Sequence, residues 1–183
     1  QVSIGIQGFE KLRNGGYFYV DKTDFIREWW ESGDDVTLIT RPRRFGKTLN
    51  MDMLNCFFSN RYENRGDLFE GLSIWKKEKY RRLQGSYPVI FLSFADIKQN
   101  NYKDATCAVK DVISDVFRGY REILKSDKFS DVDCNNFNKI NSSMDDVTAQ
   151  RALKELGYYL QQYYGKKVII LLDEYDTPMQ EAY

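Results

Sequence analysis

The sequence contains no histidine. That absence excludes Ser-His-Asp and Cys-His triads and histidine-based metal sites, and leaves carboxylates, lysine, arginine and hydroxyls to carry any chemistry. Net charge is absent too. Lys and Arg total 27 and so do Asp and Glu, so no overall field recruits nucleic acid or a membrane surface. Cysteine is scarce: Cys56, Cys107 and Cys134 are odd in number and far apart, which suits a reducing compartment and fits neither a zinc site nor a disulfide framework. Long hydrophobic runs are also missing. The longest aliphatic stretch, residues 168–172, falls far short of the roughly 20 residues a bilayer span needs. No basic segment followed by an apolar one marks a signal peptide, so a cytoplasmic location without membrane contact is expected. The chain opens on Gln1 rather than Met, as it would if its natural N-terminus had been removed.

What is present is the balance of a folded domain, with 42% hydrophobic and 30% charged residues over a length that supports a sizeable core. Aromatic residues make up 15%, so much of that core is expected to be aromatic, with Trp29-Trp30 and Tyr158-Tyr159 inside it rather than forming base-stacking platforms. Three nearly continuous apolar runs, at residues 36–40, 89–94 and 168–172, predict strands covered on both faces. Residues 102–124 repeat Val109, Val112, Val116, Tyr120 and Ile123 at helical spacing. Residues 148–164 do the same with Leu153, Leu156, Leu160 and Tyr163, and Gly165 supplies a stop. Strands alternating with helices predict a parallel α/β sheet with right-handed crossovers. Ahead of these lie a short extended piece at 17–20 and a helix at 24–32 ended by Gly33. The polar region 125–143 reads as a surface excursion of loop or weak helix.

After the first strand comes Arg41-Pro42-Arg43-Arg44-Phe45-Gly46-Lys47-Thr48, and then a helix made apolar by Leu49, Met53, Leu54, Phe57 and Phe58. Strand, loop, Gly-Lys-Thr and helix is the setting of a P-loop. Gly46 lets the backbone approach a phosphate, and the free N–H groups and dipole at the helix start attract the anion. Lys47 can reach the β- and γ-phosphates, and the Thr48 hydroxyl can ligate Mg²⁺. Arg41 stands where the usual motif begins with glycine, so an ordinary basic loop is the alternative. Four cations within seven residues, Arg41, Arg43, Arg44 and Lys47, repel one another unless an anion or carboxylates such as Asp34 and Asp35 sit among them. The run at 168–172 then leads straight into Asp173-Glu174. A buried strand ending in two acids is the Walker B arrangement: Asp173 is placed for the Mg²⁺ water shell and Glu174 for orienting the attacking water.

Taken together, Phe18-Tyr19-Val20-Asp21-Lys22-Thr23, the segment from Thr40 to Thr48, Tyr87-Pro88-Val89-Ile90 and Leu172-Asp173-Glu174-Tyr175-Asp176 resemble the bacterial AAA-ATPase-like family over essentially the whole chain. In that family arginine is normal at the place of Arg41. The resemblance implies a three-layer P-loop NTPase sandwich with a mostly parallel sheet, of which residues 1–183 are the N-terminal part. Residues 36–60 then hold strand, P-loop and helix, and residues 168–176 the Walker B strand. It implies ATP and Mg²⁺ as cofactors, nucleotide binding by Arg43, Arg44, Phe45, Gly46, Lys47, Thr48 and Leu49, metal binding by Thr48 and Asp173, and catalysis by Glu174 and Lys47.

Two functions are compatible with this set: Mg²⁺-dependent ATP hydrolysis, and a nucleotide-sensing switch or assembly module with little turnover. Family members continue into the rest of the ATPase domain and a PD-(D/E)XK nuclease-like domain, so a longer protein is expected, with self-association open. Its arginine finger and sensor would lie beyond Tyr183. So would a strand inserting between the P-loop and Walker B strands, without which residues 1–183 alone should not turn over ATP. The stretch at 19–23 resembles one lying near the adenine in archaeal-type ATPases. A structural role for it is equally open.

Overall fold

Asp24 in the first turn and Gly33 just past the last bracket the helix α2, Asp24–Ser32; Gly33 ends it in the left-handed conformation at φ 68°. This is the helix the sequence predicts. It belongs to the first of two units into which the computed structural model divides, Gln1–Val89 and Ile90–Tyr183. Residues 7–39, 46–98 and 101–177 are described.

The first unit also contains α1 (Phe9–Asn14), α3 (Lys47–Phe58), α4 (Glu78–Arg81) and 3₁₀ turns at Asn60–Tyr62, Gly66–Phe69 and Ser73–Lys76. Its core is aromatic. Phe9 stacks on Phe69 at 5.2 Å, Phe57 meets Phe69 edge-on at 5.0 Å, and Trp30 stacks on Phe58 at 5.3 Å. Such pairs add about 0.5–1.5 kcal/mol each beyond the area they bury. Trp29 and Trp30 are half-buried with their rings packed on Phe58, and of the Tyr158-Tyr159 pair Tyr159 is buried while Tyr158, expected inside, is 58% exposed. The Asp52 carboxylate on α3 accepts the Phe9 N–H at 2.7 Å and ties the start of α1 to α3. Burial pushes the Asp52 carboxyl and the neighbouring Cys56 thiol up, which keeps that thiol unreactive.

The second unit is built on two parallel strands, β1 (Val89–Ser93) and β2 (Ile169–Asp173), joined by a long helical crossover. The crossover comprises α5 (Tyr102–Gly119), a 3₁₀ turn (Arg121–Lys125), α6 (Asp131–Lys139) and α7 (Asp146–Tyr164). Side-chain oxygens of Asn101, Ser130 and Asp145 cap these three helices, and Gly165 ends α7 at φ 67°. Ile90 and Leu92 of β1 pack into one cluster with Ile113 and Phe117 of α5 and Leu156 and Leu160 of α7.

Three expectations are corrected. Residues 36–39 form no strand, and Val36 and Leu38 are 88% and 63% exposed; residue 40 lies outside the described residues. A β-rich run becomes a strand only when a neighbour takes up its N–H and C=O groups, and no neighbour exists for it among the described residues. The architecture described is thus mixed α/β with a small two-stranded sheet. Secondly, β2 is not covered on both faces: Ile170 and Leu172 are 46% and 40% exposed, while Leu171 and Asp173 are buried. Thirdly, region 125–143 is more than a surface excursion. Ser130 and Asp133 form a reciprocal capping box that starts α6, and Phe137 is buried 4.9 Å from Phe117 and 5.4 Å from Tyr159. Among the described residues no helix is long and apolar enough to cross a membrane.

If α6 belongs to the core, Phe137→Ala lowers unfolding free energy by about 3–5 kcal/mol, whereas Val132→Ala on its exposed side changes it by no more than about 0.5 kcal/mol. Urea unfolding of both variants checks this. A small loss at Phe137 would make α6 peripheral.

Candidate functional site

Gly46 turns the chain into α3 from a left-handed conformation, φ 76° and ψ 27°. An added Cβ would meet nothing within 4 Å among the described residues, and the positive φ is what calls for glycine here. The first intrahelical bond runs from the Asn50 N–H to the Gly46 carbonyl at 2.9 Å. The N–H groups of Lys47, Thr48 and Leu49 have no acceptor among the described residues, and no side chain caps the helix. Nor does an acidic residue occupy its first turn. The contrast with the capped α5, α6 and α7 is direct. The Lys47 ammonium and Thr48 hydroxyl are half-buried and likewise without a protein partner among the described residues.

One helix end thus gathers three backbone donors and a cation without partners among the described residues, a hydroxyl and the positive end of the helix dipole, all suited to an anion. Of the predicted nucleotide-binding set, Gly46, Lys47, Thr48 and Leu49 are together at this end, while Arg43, Arg44 and Phe45 lie outside the described residues. Asp34 and Asp35 are exposed.

The two predicted acids meet at the end of β2 in the second unit. Asp173 closes the strand and is 3% exposed. Its carbonyl accepts the Phe94 N–H at 3.0 Å, which brings the ends of β1 and β2 side by side. Ser93 Oγ lies 3.5 Å from Asp173 Oδ2. Glu174 follows at φ 50°, the one non-glycine residue with positive φ among the described residues, and its carbonyl accepts the Thr177 N–H at 3.1 Å in the turn beyond. A left-handed glutamate costs on the order of 1–2 kcal/mol and persists only where its surroundings enforce it. Ser93 escaped the sequence reading. Its signal was the hydroxyl that ends an otherwise apolar strand, Val89-Ile90-Phe91-Leu92-Ser93.

The stretch at 19–23 has a structural role. Thr23 is fully buried, its hydroxyl donates to Asp21 Oδ1 at 2.6 Å and accepts the Ile74 N–H at 3.2 Å. Asp21 Oδ2 accepts the Ser73 N–H at 2.7 Å. These bonds fasten the start of α2 to the turn Ser73–Lys76. Tyr19 packs against Phe9, and burial pushes its phenol up to about 12.

Mg²⁺ favours hard oxygen donors and is usually held by one or two protein groups plus substrate phosphates. The Thr48 hydroxyl and the buried Asp173 carboxylate are donors of that kind. Among the described residues no cluster of three or more Cys, Asp or Glu could hold a cation. The free α3 donors and Lys47 fit a triphosphate.

The family model described as "Predicted AAA-ATPase" matches residues 3–183, and the chain belongs to that family. It is 28% identical over 183 residues to a protein of Azotobacter chroococcum mcd 1 described as "Uncharacterized protein in vnfD 5'region". The alignment takes in 98% of this chain and 30% of that relative, so the chain spans under a third of its length. No solved structure matches the chain.

Asp21 supplies a pH prediction. Burial pushes its carboxyl up, but the hydrogen bonds from Thr23 and Ser73, with the charge of Lys76, outweigh burial and hold it below the ordinary value. A depressed folded pKa contributes stability above the unfolded value of roughly 3.9, and that contribution is lost as pH falls through the folded value. Thermal melts from pH 6 to pH 3 should show Asp21→Asn losing less stability on acidification than the wild-type protein. Parallel curves would remove Asp21 as a contributor.

Proposed function

We propose that this chain supplies the phosphate and magnesium groups of an ATPase site, within a three-layer P-loop domain of a longer protein. The observation that carries the reading is the free, glycine-led N-terminus of α3, where Lys47, Thr48 and Leu49 present N–H groups without an acceptor among the described residues. In this reading those donors and Lys47 cradle the β- and γ-phosphates of ATP, with Arg43, Arg44 and Phe45 completing the loop. Thr48 and Asp173 hold Mg²⁺, which when bound neutralises phosphate charge.

Glu174 orients the attacking water and accepts its proton as the water oxygen bonds to the γ-phosphorus. The bond from that phosphorus to the β–γ bridging oxygen breaks, and ADP leaves with that oxygen. Its left-handed backbone is an observed strain of the sort that collects at reacting centres, where surroundings hold a side chain in one direction. Lys47 stabilises the charge that develops on the phosphoryl oxygens.

The test uses the intact protein. Calorimetry should show Lys47→Ala weakening ATP at least tenfold, with an unchanged melting temperature, because the lysine has no partner among the described residues. Glu174→Gln should keep ATP affinity within about twofold and slow phosphate release by two or more orders of magnitude, the usual scale for removing a positioned base. Unchanged ATP affinity in Lys47→Ala would overturn the phosphate site, and equal turnover in Glu174→Gln would remove that residue as the base.

A further inference from the structure

Asp173 is 3% exposed, and a carboxylate buried to that degree requires donors. Among the described residues its side-chain donor is Ser93, whose Oγ lies 3.5 Å from Asp173 Oδ2. The direction of this contact follows from chemistry. The serine hydroxyl donates and the carboxylate oxygen accepts. That hydroxyl is itself oriented, because its oxygen accepts the Ala95 N–H at 3.4 Å just past the strand end. The backbone fixes the relation further, through the rung from the Phe94 N–H to the Asp173 carbonyl at 3.0 Å. Ser93 and Asp173 thus face each other across the carboxyl ends of two parallel strands, which the Phe94 to Asp173 main-chain bond holds together.

The distance is informative. An O–H···O bond is usually 2.5–3.0 Å, so this one is loose. A carboxylate offers roughly four lone-pair sites, so a single serine contact on Oδ2 leaves the others available to a cation.

We propose that Ser93 is a positioning residue for Asp173, holding its carboxylate in the orientation that receives the magnesium accompanying ATP. This rests on the reading of Asp173 as the magnesium residue. Ser93 touches neither nucleotide nor water in this account. It acts through Asp173 alone, so its loss affects the part of ATP affinity that magnesium supplies.

The experiment is calorimetry of ATP binding to the intact protein, once with MgCl₂ and once with EDTA, for wild type, Ser93→Ala, Ser93→Thr and Asp173→Asn, with a thermal melt of each. Asp173→Asn should abolish most of the gain that magnesium brings. Ser93→Ala should reduce that gain about fivefold, the scale of one modest hydrogen bond, while ATP affinity in EDTA stays within twofold of wild type. Ser93→Thr keeps the hydroxyl and should restore the gain. A merely structural role would lower both affinities together or fail to be rescued by threonine, and either result overturns the proposal. If Asp173→Asn removes the magnesium gain and Ser93→Ala does not, the serine assignment alone falls. If Asp173→Asn leaves the gain intact, the magnesium reading of Asp173 fails, and the role of Ser93 with it.

Discussion

The last two turns of α3 carry the constraint on which the first unit depends. Met53, Leu54, Cys56, Phe57 and Phe58 are all buried there; the rings of Trp29 and Trp30 pack on Phe58, and that of Phe69 on Phe57, with Phe9 stacked on Phe69 in turn. Each large ring removed from water contributes a few kcal/mol, so this end of the helix cannot shift without disturbing the whole unit. The opposite end is released from that duty. Lys47, Thr48 and Leu49 are only half-buried, their N–H groups have no acceptor among the described residues, and Gly46 brings the chain in by a left-handed turn. A helix anchored at its C-terminus and open at its N-terminus holds its dipole in a fixed direction, and that is the physical requirement for gripping an anion with backbone.

The second unit solves a different problem. Parallel strands cannot be joined by a tight turn, so α5, α6 and α7 intervene, and their apolar faces cover Ile90 and Leu92. This crossover brings two strand ends to the same place though they lie 80 residues apart in sequence. Asp173 is buried there next to a hydroxyl, and Glu174 turns the chain away at φ 50°. The apolar residues of β2 alternate between a buried Leu171 and exposed Ile170 and Leu172, so coverage comes from one side.

Much of this was legible in the sequence because the signals were local. Periodicity and the terminal glycines Gly33 and Gly165 located α2 and α7 to within two residues. Gly-Lys-Thr located the start of α3, since glycine tolerates the left-handed entry that the helix requires. What was not legible depended on partners distant in sequence. Residues 36–40 have strand composition, yet composition cannot supply a neighbouring strand, and residues 36–38 are exposed. The helix α6 was obscured by its polar residues, although Ser130-x-x-Asp133 is a capping signal in its own right. Ser93 could not be singled out at all until the strand pairing placed it beside Asp173.

The central claim is that the α3 N-terminus grips phosphate through its backbone, and amide resonances report on it directly. ¹H–¹⁵N spectra of the intact protein, recorded as MgATP is added, should show the N–H signals of Gly46, Lys47, Thr48 and Leu49 moving downfield and gaining protection from exchange as each acquires an acceptor. Amides in the buried part of α3, such as Phe57, should barely move. If ATP binds while the signals of Lys47, Thr48 and Leu49 stay in place, the nucleotide sits elsewhere and the account is wrong.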